Sequence, residues 1–184
     1  MAGISIKVEL QDLGAREALR DLLGRMDNLK PFYAAVGERI LSSTKDRFET
    51  QTDPTGAAWT PLSPRTIAQR TKRGQLPLTI LRSNSKGMSG SSLAGSINYV
   101  ASTEDVRIGS PKAYAAIHQL GGTIEKKEGS RYMAGRRFAK RSTEGGADVT
   151  IKAHTITIPA RPYIGISAAD QDGILEDAED WLTR

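Results

Sequence analysis

Lys112-Ala113-Tyr114-Ala115-Ala116-Ile117-His118-Gln119-Leu120-Gly121-Gly122 and its echo, Ile158-Pro159-Ala160-Arg161-Pro162-Tyr163-Ile164-Gly165, decide how this chain folds. Small and apolar residues make the first a short helix over 112–120. The glycine pair behind it suits a turn that needs a positive φ after a helix end. In the second, Pro159 and Pro162 terminate the preceding strand, because proline has no N–H to give a ladder, and Arg161 is held between them. Between the two runs a basic excursion to Lys152, carrying Arg131, Arg136, Arg137, Lys140 and Arg141 with Tyr132 and Phe138 interleaved. The chain upstream of the first stretch reads as scaffold, and the chain beyond the second as one acidic helix.

Outward from there, residues 96–101 and 105–109 alternate as two short strands around a Ser-Thr-Glu turn, a hairpin. Residues 149–158 alternate too, but the apolar face changes after His154, which predicts a break or bulge near it. Ser167 is placed to cap a final helix with Asp170 and Asp172 in its first turn. Leu175, Ala178, Trp181 and Leu182 form its apolar face, and its carboxylates are expected to point outward.

Upstream, Ile4, Ile6, Val8 and Leu10 mark a half-buried strand. Ala15, Ala18, Leu19, Leu22, Leu23 and Met26 recur at helical spacing, and a second helix runs from Pro31 to about Phe48. Both apolar stripes are expected to be core. Ser63-Pro64 opens a short helix to about Arg73, and residues 74–92 form a loop anchored by the apolar island 76–81. The order predicts an α+β fold. It has a mostly antiparallel sheet, an N-terminal helical pair, a long basic protruding arm and a C-terminal helix. Residues 1–184 form one domain, with 123–152 as the arm or hairpin.

A hydrophobic content of 38% with 5% aromatics suits a modest core and much surface given to partners. Cysteine is absent, and the histidines, His118 and His154, lie far apart, so no metal site is expected. The first residues lack the basic-then-apolar pattern of a signal peptide, and no apolar run approaches the ~20 residues of a membrane span. The net charge of +5 is unevenly spread. Residues 54–103 hold six bases and no acid, 123–152 eight bases against four acids, and 168–184 six acids against one base. Nucleic-acid contact, head-to-tail self-association and a solvated surface all fit such blocks.

Catalytic patterns are weak. Gly87-Met88-Ser89-Gly90-Ser91 misses the last glycine of a nucleophile elbow and lacks its strand-to-helix context. A hydrolase using Ser89 would need His118 or His154 as base. His118, amid alanines and Ile117, reads instead as a structural histidine with a local hydrogen bond. Gly109, Gly121 and Gly122 match no phosphate-binding spacing. The arm itself admits three readings: a basic nucleic-acid contact, a thread onto a neighbouring subunit, or a solvated loop.

Four ordered blocks carry a resemblance. They are Phe48-Glu49-Thr50-Gln51 with Asp53-Pro54-Thr55-Gly56 and Trp59-Thr60-Pro61-Leu62-Ser63; Leu81 with Leu93-Ala94-Gly95-Ser96-Ile97; Val106-Arg107-Ile108-Gly109 with 114–122; and 158–166. Together they resemble the phage virion morphogenesis (tail completion) family of Mu-like and P2-like phages. In the second block a longer loop replaces that family's Thr-Gly pair. The resemblance implies a non-enzymatic structural protein without catalytic residues, metal or cofactor, acting where a tail is finished and joined to the head. It implies a homo-oligomeric ring, commonly a hexamer, among other neck and tail proteins, with non-specific contact to packaged DNA and no membrane. The location implied is the virion neck or tail end, reached from the host cytoplasm. Trp59, Pro61, Tyr114, His118, Gln119, Gly121, Gly122, Pro159, Arg161 and Pro162 become structural motif residues. Arg131, Arg136, Arg137, Lys140 and Arg141 become candidates for a subunit interface or a DNA-facing lumen.

Overall fold

The computed structural model describes residues 13–82, 92–135 and 137–183. The expected strand at 4–10, Ser89 with most of its loop, and Arg136 lie outside the described residues. The elements run α1 (Leu13–Met26), α2 (Lys30–Thr50), α3 (Pro64–Lys72), β1 (Asn98–Ala101), β2 (Val106–Gly109) and α4 (Ala115–Leu120). Next come β3 (Gly122–Lys126), β4 (Gly129–Ala134), β5 (Arg137–Phe138), β6 (Gly146–Ile151), β7 (His154–Ile158) and α5 (Ala168–Thr183). The class is α+β, and the antiparallel pairing is divided among three small sheets, β1–β2, β3–β7 and β5–β4–β6. No described helix is long and apolar enough to cross a membrane.

The chain clusters into two compact units. One draws on the described residues within 1–45, 97–109 and 166–184. Here α2 buries Val36 and Ile40 as its spacing requires. Gly37 lies directly under the Tyr99 ring, where any Cβ would collide. A glycine inside a helix costs about 1 kcal/mol against alanine, and here it admits β1 to close approach. The Tyr99 hydroxyl then donates to Glu38 Oε1 at 3.0 Å.

The N-terminal stripe behaves differently. Leu19, Leu23 and Met26 are exposed, so α1 is amphipathic but not core among the described residues. Helical spacing fixes which side chains share a face. It does not supply a surface to cover them.

Helix α5 starts as expected. Ser167 Oγ accepts from the Asp170 amide at 3.1 Å, while Asp170 Oδ2 accepts from the Ser167 amide at 2.8 Å and hydroxyl at 2.7 Å. Its acids do not all face water, however. Asp170 is buried and also accepts from Ser43 Oγ at 3.0 Å, and Asp177 takes both arms of Arg39 at 2.8 Å. These carboxylates turn inward because α2 presents donors to them.

The second unit draws on the described residues within 46–96 and 110–165. Its core is Phe48, Trp59, Ile80, Leu93, Ala94 and Tyr163. The Phe48 ring meets Trp59 edge-on at 5.5 Å and lies 5.2 Å from the Tyr163 ring. Such contacts add about 0.5–1.5 kcal/mol each beyond the area they bury. Asp53 Oδ1 closes the turn before Trp59 by accepting from the amides of Thr55 at 2.8 Å and Ala57 at 3.0 Å. Ser63 caps α3, with Pro64 in the first turn.

Helix α4 begins at Ala115, later than the expected 112; the residues before it form a turn in which Ala115 N–H donates to Lys112 O at 2.9 Å. The excursion leaves as β3 and returns as β7. The break expected near His154 falls at Lys152-Ala153 and separates β6 from β7. No bulge is inserted: the ladder ends at Lys126↔His154 and resumes at Gly129↔Ile151, skipping two residues on each side. One register thus runs from Gly122↔Ile158 to Ala134↔Gly146, and β5 folds back on the end of β4.

Candidate interaction surfaces

The 158–165 segment is clamped by side chains from several elements. The Arg161 amide donates to His118 O at 2.8 Å, and its guanidinium donates to Thr60 O at 2.8 Å and Pro61 O at 3.0 Å. Trp59 Nε1 donates to Pro162 O at 2.8 Å. Gln119 Oε1 accepts from the amides of Tyr163 and Ile164 at 3.0 and 3.1 Å, and its Nε2 donates to Ile164 O at 2.8 Å. The Tyr163 hydroxyl donates to Ala115 O at 3.0 Å, and Arg47 Nη1 to Gly165 O at 2.8 Å. Backbone that no sheet can pair is satisfied here by side chains, as buried polar groups require.

The glycine pair makes the approach possible. Gly121 has φ 71° and Gly122 φ 150°. A Cβ on Gly121 would stand 2.7 Å from Ala160 N. The expected motif residues Trp59, Pro61, His118, Gln119, Gly121 and Arg161 therefore meet around one turn, with Gly122 and Pro159 at the end of the β3–β7 ladder.

His118 departs from expectation. Its Nδ1 is buried without a hydrogen-bond partner, and its ring stands edge-on to Tyr114 at 5.9 Å. Desolvation, and then the charge of Arg161, lower its pKa below the ordinary value. Neither His118 nor His154 is bonded to a hydroxyl or carboxylate side chain among the described residues; His154 Nδ1 meets Lys152 O at 3.0 Å.

Beside the clamp lies a cleft of about 740 Å³. Pro61, Leu62 and Leu93 wall one part, Ile156 and Ile158 of β7 another, with Tyr114, His118, Arg70 and Arg161 supplying polar groups. Arg161 is only 7% exposed. Burial, and then the charge of Arg70, lower its pKa. Arg70 Nη1 donates to Thr79 O at 2.7 Å and Arg82 O at 2.8 Å. Arg70 was not legible as a site residue, because a guanidinium that bonds loop carbonyls leaves no local pattern. The same holds for Arg47, whose guanidinium bonds Tyr163 O and Gly165 O.

The cations of the excursion lie elsewhere, on the ribbon of β4, β5 and β6. Arg131, Arg137, Lys140 and Arg141 are exposed. Arg141 pairs with Asp148 at 3.2 Å, while the other three form no ion pair among the described residues. Phe138 is 69% exposed beside them.

The described residues thus present a clamped turn, a cleft beside it and a cationic ribbon. The sequence model of the phage virion morphogenesis family matches residues 10–183, and the chain belongs to that family. It is 32% identical over 157 residues to "Putative capsid assembly protein G" of Escherichia phage Mu, covering 85% of this chain and 81% of that protein. No solved structure matches it. The chain is a structural or assembly protein of a phage virion.

Proposed function

We propose that the protein is a non-enzymatic component of the head–tail junction, joined head to tail with copies of itself into a ring that finishes the tail. The observation that carries this reading is the ribbon from β3 to β7. Its strands are paired in one register on either side of a two-residue gap, yet it leaves Arg131, Arg137, Lys140 and Phe138 open to solvent. A ring needs two unlike patches on each subunit. The ribbon supplies a cationic patch and α5 an acidic one, with Asp172, Glu176 and Glu179 exposed. Long-range charge steers encounter and register, while apolar contacts such as Phe138 contribute most of the affinity. A sixfold ring with a mildly positive lining would pass duplex DNA without reading its sequence. Light scattering on the purified chain should report a closed oligomer, and phage lacking the protein should accumulate unjoined heads and tails. Normally joined particles in its absence would end the proposal.

The unpaired cations also favour a second reading, a small nucleic-acid-binding module. That reading requires duplex binding that falls steeply with salt and with loss of Arg131, Arg137 and Lys140. Undetectable binding at low salt dismisses it.

A further inference from the structure

The cleft holds an electrostatic deficit. Two guanidiniums, Arg70 and Arg161, contribute to its lining, and among the described residues no aspartate or glutamate does. A buried guanidinium without a carboxylate is costly to hold, and carbonyls offset only part of that cost. Arg161 Nη1 makes no hydrogen bond among the described residues, and His118 Nδ1 in the same cleft is buried and unpartnered. Around these polar atoms the walls are apolar, and the guanidiniums are the donors. The cleft therefore fits a carboxylate carried on an apolar surface.

One surface of the chain has that composition. On α5, Leu175 is 63% exposed and Leu182 52%. Asp172, Glu176 and Glu179 flank them at three-to-four spacing and are exposed; Glu176 also interacts through its charge with Arg39 but, like the other two, forms no close ion pair among the described residues. The opposite face of the helix is spent on Arg39 and Ser43.

We propose that the cleft receives the exposed face of α5 from a second copy of this chain. Glu176 and Glu179 reach the guanidiniums of Arg70 and Arg161, and Leu175 lies on the apolar wall, a helix seated in a groove. Every copy carries both the groove and the helix, so the contact repeats from subunit to subunit. This inference rests on the self-assembly reading and gives α5 the cleft as its seat, the ribbon's cations acting on the same encounter only through long-range charge.

Because the chain has no cysteine, two single-cysteine variants test it directly. Leu62→Cys marks the cleft and Leu175→Cys marks α5. After mixing and mild oxidation, the disulfide between the two variants should exceed that formed by either alone by about tenfold, as a heterologous contact demands. Light scattering on the unaltered chain is run beside it. An oligomer without the cross-link overturns the cleft assignment and leaves self-assembly standing. A monomer at every concentration overturns both. Cross-linking of Leu62→Cys to another virion protein in place of α5 also overturns the assignment. As a second measurement, Glu176→Lys with Glu179→Lys alters only exposed positions and should weaken association by about tenfold or more. Unchanged association in a folded double variant refutes the proposal.

Discussion

The 158–165 segment and the β3–β7 ribbon belong to the same unit and are built on opposite plans. Around 158–165, individual side chains answer individual backbone groups: Gln119 makes three bonds to two residues, Trp59 one and Arg161 two. Aromatic packing of Phe48 and Tyr163 lies beneath. Along the ribbon, the ladder does most of the holding, helped by a few exposed bonds such as Tyr132 Oη to Thr143 O at 3.0 Å and Arg141 to Asp148 at 3.2 Å, and most side chains stand in solvent. The first plan makes a rigid frame that tolerates little substitution. The second tolerates almost any surface residue and so leaves the side chains free to be chosen for a partner.

The largest expected effect sits in the frame. Phe48→Ala removes a fully buried ring from between Trp59 and Tyr163 and should cost about 3–5 kcal/mol, read from the denaturant midpoint. A loss under about 1 kcal/mol would show that the frame repacks as easily as the ribbon. Gly121→Val comes next. It places a β-branched residue at φ 71° with its Cβ against Ala160, and a loss of about 2–4 kcal/mol is expected from strain and displaced backbone together. An unstrained, equally stable variant would show that the clamp has slack.

A smaller effect should accompany a change of pH. Burial and Arg161 lower the pKa of His118, so the fold favours the neutral ring. Its stabilising effect is complete above the unfolded value of about 6.5 and is lost as pH falls through the lower folded value. Chemical denaturation of the parent and of His118→Gln, compared at pH 7.5 and 5.5, should show the parent losing more on acidification. Parallel losses would remove His118 as the cause. Asp53, whose carboxylate is held below its ordinary value chiefly by the Thr55 hydroxyl, acts in a separate and more acidic window.

The smallest expected effect on stability belongs to the ribbon. Arg131→Ser, Arg137→Ser and Lys140→Ser together should change the midpoint by no more than about 0.5 kcal/mol per site. In the same variant, oligomer content by light scattering should drop. Strong destabilisation would contradict the division of labour between the two regions.

Much of this organisation was legible along the chain. Ser63 before Pro64 and Ser167 before Asp170 announced helix starts, since capping needs only residues three or four positions apart. Gly121-Gly122 and the two prolines announced the clamp's corners for an equally local reason. The charge asymmetry and the four motif blocks were in plain view as well. The exposure of the α1 stripe was not, because a periodic pattern looks the same with or without a covering surface. Nor was the inward turn of Asp170 and Asp177, which depends on Ser43 and Arg39 more than a hundred residues away in sequence.

By itself, then, the sequence determined the local elements, their caps and corners, and the family, because each is written in short-range spacing. Only the tertiary structure decided that Arg161 serves its own fold's carbonyls, that Arg70 joins it in a cleft lined by no acid among the described residues, and that one register runs the length of the ribbon. Those outcomes depend on which distant groups meet, and hydrogen-bond satisfaction in three dimensions leaves no mark on neighbouring residues.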